Sequence, residues 1–310
     1  MRKSGLLLLF SLLGNLLVGQ SSDYKFFQFN YQSLPSIQAV PALEYPTVPN
    51  FKNNRNIDAK LRFPILLGSK LMLIGQVRYQ YEDLHLGYTT DGLEQELSFN
   101  NIGTTFFYKR QLENDQALFG HFSTNLRAQK IDFNNFSRKI DYSASVVHLF
   151  KKSDKKTFGY GLGVANTLGR LRVSPVAIYQ NQWHKHWELE LKLPKLARLN
   201  WKIKNTSNLY FNVEGNSASY YLDNFKLSAA HHIEYRRLTV DVQVGMEQAL
   251  NEWVWMGFSA GITQPLRSRL VESGQPSRFL VHRFNSMVTP TFNVYLFTVV
   301  PQNIIDKFKK

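Results

Sequence analysis

Between Leu238 and Glu247, apolar and polar residues alternate one for one. Leu238, Val240, Val242, Val244 and Met246 are separated by Thr239, Asp241, Gln243 and Gly245, with Glu247 following. Successive side chains of a β-strand point to opposite faces, so such a segment has one greasy face and one wet face. The pattern returns along the chain. Trp187, Leu189, Leu191 and Leu193 alternate with Glu188, Glu190 and Lys192; Leu199, Trp201 and Ile203 with Asn200, Lys202 and Lys204; Leu209, Phe211 and Val213 with Tyr210, Asn212 and Glu214. A sheet with one apolar face must hide that face in a protein core or in lipid.

The first residues favour lipid. Met1-Arg2-Lys3, the apolar run Leu6–Leu17 and the segment Val18-Gly19-Gln20 compose a secretory signal peptide, with cleavage expected after Gly19. The run falls short of the ~20 apolar residues that a spanning helix needs. Met287–Val300 comes nearest elsewhere, and Pro290, Asn293 and Thr298 interrupt it. An exported chain of half-apolar strands without a spanning helix crosses a membrane only as a closed barrel, because lipid satisfies no backbone hydrogen bond. The chain has no cysteine. This excludes a disulfide framework and cysteine metal sites, and suits an oxidising periplasm. The formal net charge of +14 points, for an exported protein, to an anionic lipid surface rather than to nucleic acid.

Residues 1–19 are read as signal peptide, 20–55 as a Pro-containing N-terminal arm, 56–300 as the barrel and 301–310 as a C-terminal tail. Tyr24–Tyr31 could form one strand, but Pro35, Pro41, Pro46 and Pro49 follow and remove ladder donors from the rest of the arm. The barrel region offers about fourteen strands, among them 226–235 and 238–247 flanking Arg236-Arg237, most near the ~10 residues that a tilted strand needs to cross a bilayer. The expected fold is all-β, a transmembrane antiparallel up-and-down β-barrel of about 12–14 strands. Long connections are expected at 83–97, 129–141, 216–225 and 265–278, the last at the opposite end from the other three. Tyr79, Tyr81, Trp183, Trp187, Tyr220, Tyr221, Tyr235, Trp253 and Trp255 sit near strand ends, as interfacial girdles do.

A Lys or Arg on the lipid face near the midplane costs about 2–4 kcal/mol. The interior is therefore expected to hold Arg78, Glu188, Glu190, Lys192, Lys202, Lys204, Glu214, Asp241 and Glu247. Their mixed signs predict a paired network in a narrow lumen rather than a strongly ion-selective pore. One fragment hints at chemistry. His121 and Ser123 share a strand face, and an adjacent base activates a serine nucleophile. The pair resembles the His-x-Ser motif of outer-membrane phospholipases and lipid A deacylases, where it faces lipid. Here it shares a face with Asn125 and Arg127, opposite Leu118, Phe122 and Leu126, so no catalytic residue is assigned. His184 and His186 lack a third ligand, and His231 and His232 point to opposite faces; neither a metal nor another cofactor is expected. The alternation Phe158-Gly159-Tyr160-Gly161-Leu162-Gly163 precedes no helix and so is no dinucleotide loop. It marks curvature or close packing.

The basic leader ending in Gly-Gln, the stretch Phe158–Asn166, the Leu193-Pro194-Lys195 break and Asn208–Tyr221 together resemble an uncharacterised family of outer-membrane β-barrels of Bacteroidota, known as a domain of unknown function. The resemblance runs from about Arg55 onward. It implies the fold and an outer-membrane location, and no catalytic residue. The chain departs from the usual C-terminal aromatic signal, because Pro301–Lys310 follow the last strand. The expected partners are outer-membrane lipid, lipopolysaccharide and the barrel-insertion machinery. The expected function is a passive small-solute channel or a structural envelope protein. The alternatives are a lipid hydrolase using Ser123 and His121, or a periplasmic barrel holding an apolar ligand.

Overall fold

A computed structural model describes residues 25–34, 37–38, 49–68, 70–88, 94–129, 140–167, 170–223, 232–272, 280–283 and 288–299. The expected signal peptide and C-terminal tail lie outside them. The described residues form strands and no helix: β1 (Phe27–Leu34), β2 (Ile37–Gln38), β3 (Pro49–Leu67), β4 (Leu71–Tyr88), β5 (Glu94–Gln111), β6 (Gln116–Ala128), β7 (Ile140–Ser153), β8 (Lys156–Thr167), β9 (Arg170–Asn181), β10 (Trp187–Leu193), β11 (Leu196–Lys204), β12 (Ser207–Asp223), β13 (His232–Ala249), β14 (Val254–Glu272), β15 (Leu280–Arg283) and β16 (Thr289–Thr298). From β3 to β14 each strand pairs antiparallel with the next. β14 pairs with β16, β16 with β1, and β1 with β3, so the sheet returns to its own first edge. The result is a closed 14-strand up-and-down barrel. β2 and β15 are short additions to β3 and β14.

Two details of the strand order differ from the expectation, and they offset each other. The arm expected over 20–55 supplies a barrel strand, β1. Phe27, Phe29 and Tyr31 are exposed on its outer side, while Gln28, Asn30 and Gln32 share the face of Lys60, Asp58 and Asn56. Every proline of the arm follows β1 or begins β3, so none removes a donor from β1. The expected pair 226–235 and 238–247 is instead the one strand β13. Arg236 and Arg237 pair with Ser219 and Ala218 of β12 in an unbroken ladder. One strand gained and one merged preserve the count. With this order, all four long connections leave the same end of the barrel. They are also shorter than expected, because β4, β5, β12 and β14 run on into them. The short turns at 68–70, 112–115, 154–155, 182–186, 205–206 and 250–253 leave the other end. The first and last barrel strands meet there too, where Phe26 N donates to Thr298 O at 3.0 Å. Turn chemistry is local: Asn114 and Asp115 adopt φ of 56° and 57°, the left-handed pair that a tight hairpin requires and that Asn and Asp tolerate.

Glycine lets neighbouring strands come unusually close at two places. A Cβ on Gly161 of β8 would lie 1.9 Å from Val146 O of β7, and one on Gly261 of β14 would lie 2.1 Å from Val242 O of β13. No side chain fits either place, so only glycine lets neighbouring strands come this close.

The outer face is apolar. Leu61, Val77, Phe106, Val146, Leu162, Val244, Phe258 and Phe292 are all exposed on it. Trp183, Trp201 and Trp253 are exposed near the short-turn end, with Trp201 stacked on Trp187 at 5.6 Å, and Tyr31, Tyr79 and Tyr142 are exposed towards the other end. This is the layout of aromatic girdles around an apolar band. Three aromatics grouped with the girdles in the sequence are elsewhere: Tyr220 and Tyr235 are buried inside, and Trp255 packs against Phe297 at 6.1 Å within the barrel.

Candidate functional site

The inward residues form three tiers. At the short-turn end, Glu247 of β13 accepts from Lys25 Nζ at 2.9 Å and from Arg198 Nη2 of β11 at 3.0 Å. The Tyr295 hydroxyl of β16 donates to the same carboxylate at 3.0 Å and shares a hydrogen bond with the Tyr210 hydroxyl of β12 at 2.8 Å. The Arg198 guanidinium lies 4.0 Å from the Tyr210 ring centre, and Lys25 Nζ lies 3.6 Å from that of Phe297. These groups come from β11, β12, β13 and β16 and from just before β1, so they knit one arc of the wall together at the floor of the barrel.

The middle tier is polar and mostly paired along each wall. Asp58 accepts two bonds from Arg78, at 2.7 and 3.1 Å, and one from Lys60 at 2.8 Å. Glu190, fully buried, pairs with Lys192 at 2.8 Å, and Glu188 with Lys202 at 3.1 Å. Asp241 accepts from Asn216 Nδ2 at 2.7 Å and from Thr263. Glu214 lies opposite Asp241 in the β12–β13 ladder. Lys204 stands apart: a register shift follows Lys202, and Lys204 is exposed beside the turn to β12. Asn30, Asn212, Thr291 and Asn293 each hold a buried side-chain oxygen with no protein partner. Buried polar atoms of this kind call for water.

The upper tier closes the long-loop end. Glu82 of β4 is fully buried and accepts from the Tyr220 hydroxyl of β12 and from both terminal nitrogens of Arg237 of β13, one of them at 3.1 Å. Phe99 of β5 packs at a tilt against Tyr220 and stacks on Tyr235, with ring centres 4.7 and 6.4 Å apart. The wall itself is drawn in at this level. β6 and β12 form a parallel bridge at Ala128 and Tyr221, and Gln129 N donates to Tyr221 O at 3.3 Å. None of Lys25, Glu82, Arg198 or Arg237 stood among the charges expected inside. Arg198 was legible by its parity with Asn200 and Lys202. Glu82 was likewise legible by its parity with Arg78 and Gln80, whereas Lys25 and Arg237 lay outside the segments whose alternation was read.

His121 and Ser123 do share the inward face. Ser123 is bonded to Ser143 at 2.8 Å, and the His121 ring lies against Phe107 with centres 5.5 Å apart. Asp141, opposite Asn125 in the β6–β7 ladder, is held by Arg127 at 2.8 Å. Each of the three side chains is thus engaged with a group other than a relay partner. His184 and His186 are exposed in the turn before β10, where His186 Nδ1 donates to Lys202 O at 2.7 Å. His231 lies outside the described residues.

No curated protein matches the chain. Among solved structures, it is similar to an S2-deletion mutant of the TodX monoaromatic hydrocarbon channel, at 8% identity over 91% of each chain and a TM-score of 0.45. It is also similar to the Pseudomonas putida toluene transporter TodX, at 7% identity over 93% of this chain and 92% of that one, with a TM-score of 0.41. A third similarity is to the transport unit of the autotransporter AIDA-I from Escherichia coli, at 8% identity over 95% and 97% with a TM-score of 0.41. Likenesses at this level assign no activity. A family model does match, over residues 51–276, the stretch from the start of β3 to just past β14. The chain belongs to the family described as Domain of unknown function (DUF6268).

Proposed function

We propose that this protein is an integral barrel of a Gram-negative outer membrane, exported by a cleaved signal peptide over residues 1–19 in a member of the Bacteroidota. We propose further that it is a small-solute conduit held shut at rest. The exposed apolar band with its aromatic girdles supports the membrane location, because an apolar surface of this extent is stable in lipid and sticky in water. Lipid, lipopolysaccharide and the insertion machinery are its proposed partners. The observation that carries the conduit is a polar middle tier with unpartnered side-chain oxygens between two charged side-chain clusters. A barrel serving only as a wall has no need of unpartnered polar oxygens in its centre, whereas a solute path does. The reading includes no catalytic step, since Ser123 is engaged by Ser143 rather than by a base.

Refolded protein in a planar bilayer tests it. The intact protein is expected to show no steady current, with brief low-conductance openings at high voltage. A large ohmic current in the intact protein would overturn the seals. Silence in both the intact protein and a variant lacking Glu82 and Glu247 would overturn the conduit and leave a structural barrel.

A further inference from the structure

One part of the barrel wall is short. β10, at 7 residues, falls below the roughly 9–11 that a strand needs to cross the hydrocarbon, and β11, at 9, only just reaches it. Their hairpin turns at Pro194-Lys195, where Gly215 N donates to Lys195 O at 2.8 Å. The flanking strands continue. β9 pairs with β10 only up to Ala177–Leu193, and β12 pairs with β11 only up to Glu214–Leu196. Above that level, and among the described residues, Arg170–Val176 and the stretch 215–220 have one ladder edge each with no strand paired to it. Pro175, which brings no amide donor, sits on the first of these edges, where a ladder tolerates it. Where the hairpin ends, β9 and β12 are three strand spacings apart, about 14 Å. Higher up, the bridge between β6 and β12 closes the gap. The wall thus carries a side window under the roof.

Burial marks the same place independently. Positions that share the inward face at comparable depth are buried, as at Asp58, Asp241, Thr263 and Thr289. Arg172 and Asn216 share that face by register with Ala165 and Thr239, yet both are exposed. They flank the window on its two sides. On the outer face of β9, Leu171 and Val173 are 62% and 70% exposed, among the barest apolar side chains of the described residues. Leu193 is exposed at the base of the window.

Open strand edges are not tolerated against hydrocarbon unless they line a polar cavity. Resting on the membrane reading above, we propose that the window between β9 and β12 binds an acidic lipid of the surrounding leaflet. Its acid group lies on Arg172 and its chain descends along Val173 and Ala177 to Leu193. The orientation follows from depth. Arg172 lies towards the long-loop end, where headgroups belong, and the hairpin tip at Leu193 lies nearer the midplane. A guanidinium is suited to an acid group because its fork takes a carboxylate or phosphate in two bonds. The window gives such a lipid a way into the middle tier that bypasses the Glu82 seal.

Photolabelling tests this. The protein is reconstituted in phosphatidylcholine vesicles with palmitic acid carrying a diazirine in its chain, irradiated, digested and mapped by mass spectrometry. A matched diazirine alcohol serves as control. Adducts of the acid are expected to concentrate on 171–177 and 215–219, at about tenfold over the general band at Phe211 and Phe258. They are expected to fall to the level of the band in Arg172→Ser and to recover largely in Arg172→Lys, while the alcohol shows no concentration. Even labelling around the band, or a concentration that Arg172→Ser does not lower, would overturn the window site. Absence of labelling at Phe211 and Phe258 as well would instead overturn the membrane reading on which it rests.

Discussion

Replacing Glu82 by Ala cuts the seal at the long-loop end. In the intact protein the carboxylate is fully buried, and the Arg237 side chain is 14% exposed beside it. The substitution removes the Tyr220 bond and the two Arg237 bonds, and strands a buried guanidinium without its counter-ion. Breaking a buried pair from one side costs about 3–5 kcal/mol, chiefly from the charge left unpaired. Because Glu82 reaches from β4 to β12 and β13, that cost falls on the closed arrangement of the roof. If open and closed roofs otherwise keep their energies, the ratio shifts towards open by roughly two to three and a half powers of ten, at ~1.4 kcal/mol per tenfold. The assay is single-channel recording in planar bilayers, alongside urea unfolding from vesicles followed by tryptophan fluorescence. Combined with Glu247→Ala, which cuts the cluster at the other end, the variant is expected to conduct in long openings; alone, it is expected to lose stability by up to the same amount. Exchanging the charges, Glu82→Arg with Arg237→Glu, is expected to restore part of the closure. A doubly substituted protein that stays silent, with Glu82→Ala alone unfolding within about 1 kcal/mol of the parent, less than the loss of one buried bond to a charged group, would refute the roof as a seal.

Other outcomes follow from the same geometry. Val244→Arg puts a cation on the lipid face and is expected to cost about 2–4 kcal/mol in vesicle-based urea unfolding, whereas Gln243→Arg, one residue along on the inward face, costs clearly less. Gly161→Val places a side chain where Val146 O stands, so the protein is expected not to reach the compact, heat-modifiable form on gels; Gly215→Ala, whose added carbon meets nothing nearer than 3.7 Å, folds normally. Ser123→Ala and His121→Ala are expected to leave the effect of overexpression on lipid A and phospholipid profiles unchanged. A lipid product that appears with the parent and vanishes with either variant would reinstate the hydrolase.

Strand faces were legible because parity along a single strand decides them. The alternation of Leu238–Glu247 and of Leu209–Glu214 needs no partner to be read. Strand identity was harder where chemistry imitates a turn. Arg236-Arg237 breaks the apolar rhythm, yet Arg237 faces Glu82 inside and Arg236 pairs with Glu234. β1 was hidden by the prolines that follow it, and because its two partners, β3 and β16, lie next to it in space while β16 is more than two hundred residues away in sequence. The seals were not legible at all. Glu82 and Arg237 are 155 positions apart, and no spacing rule links two strands that meet across a bore. Tyr220, Tyr235 and Trp255 show the limit of position alone. A strand-end aromatic belongs to a girdle only if its parity turns it outward, and theirs turns it in.

The most direct test of the whole account uses the absence of cysteine, which makes single-site spin labelling clean. Labels placed one at a time from Thr239 to Glu247 in lipid vesicles would be read for collision with oxygen, which concentrates in hydrocarbon, and with a water-soluble nickel complex. The account predicts strong oxygen contact at Val240, Val242, Val244 and Met246 and weak contact with either reagent at Asp241, Gln243 and Glu247. Equal oxygen contact at neighbouring sites, or strong nickel contact at Val242 and Val244, would contradict it.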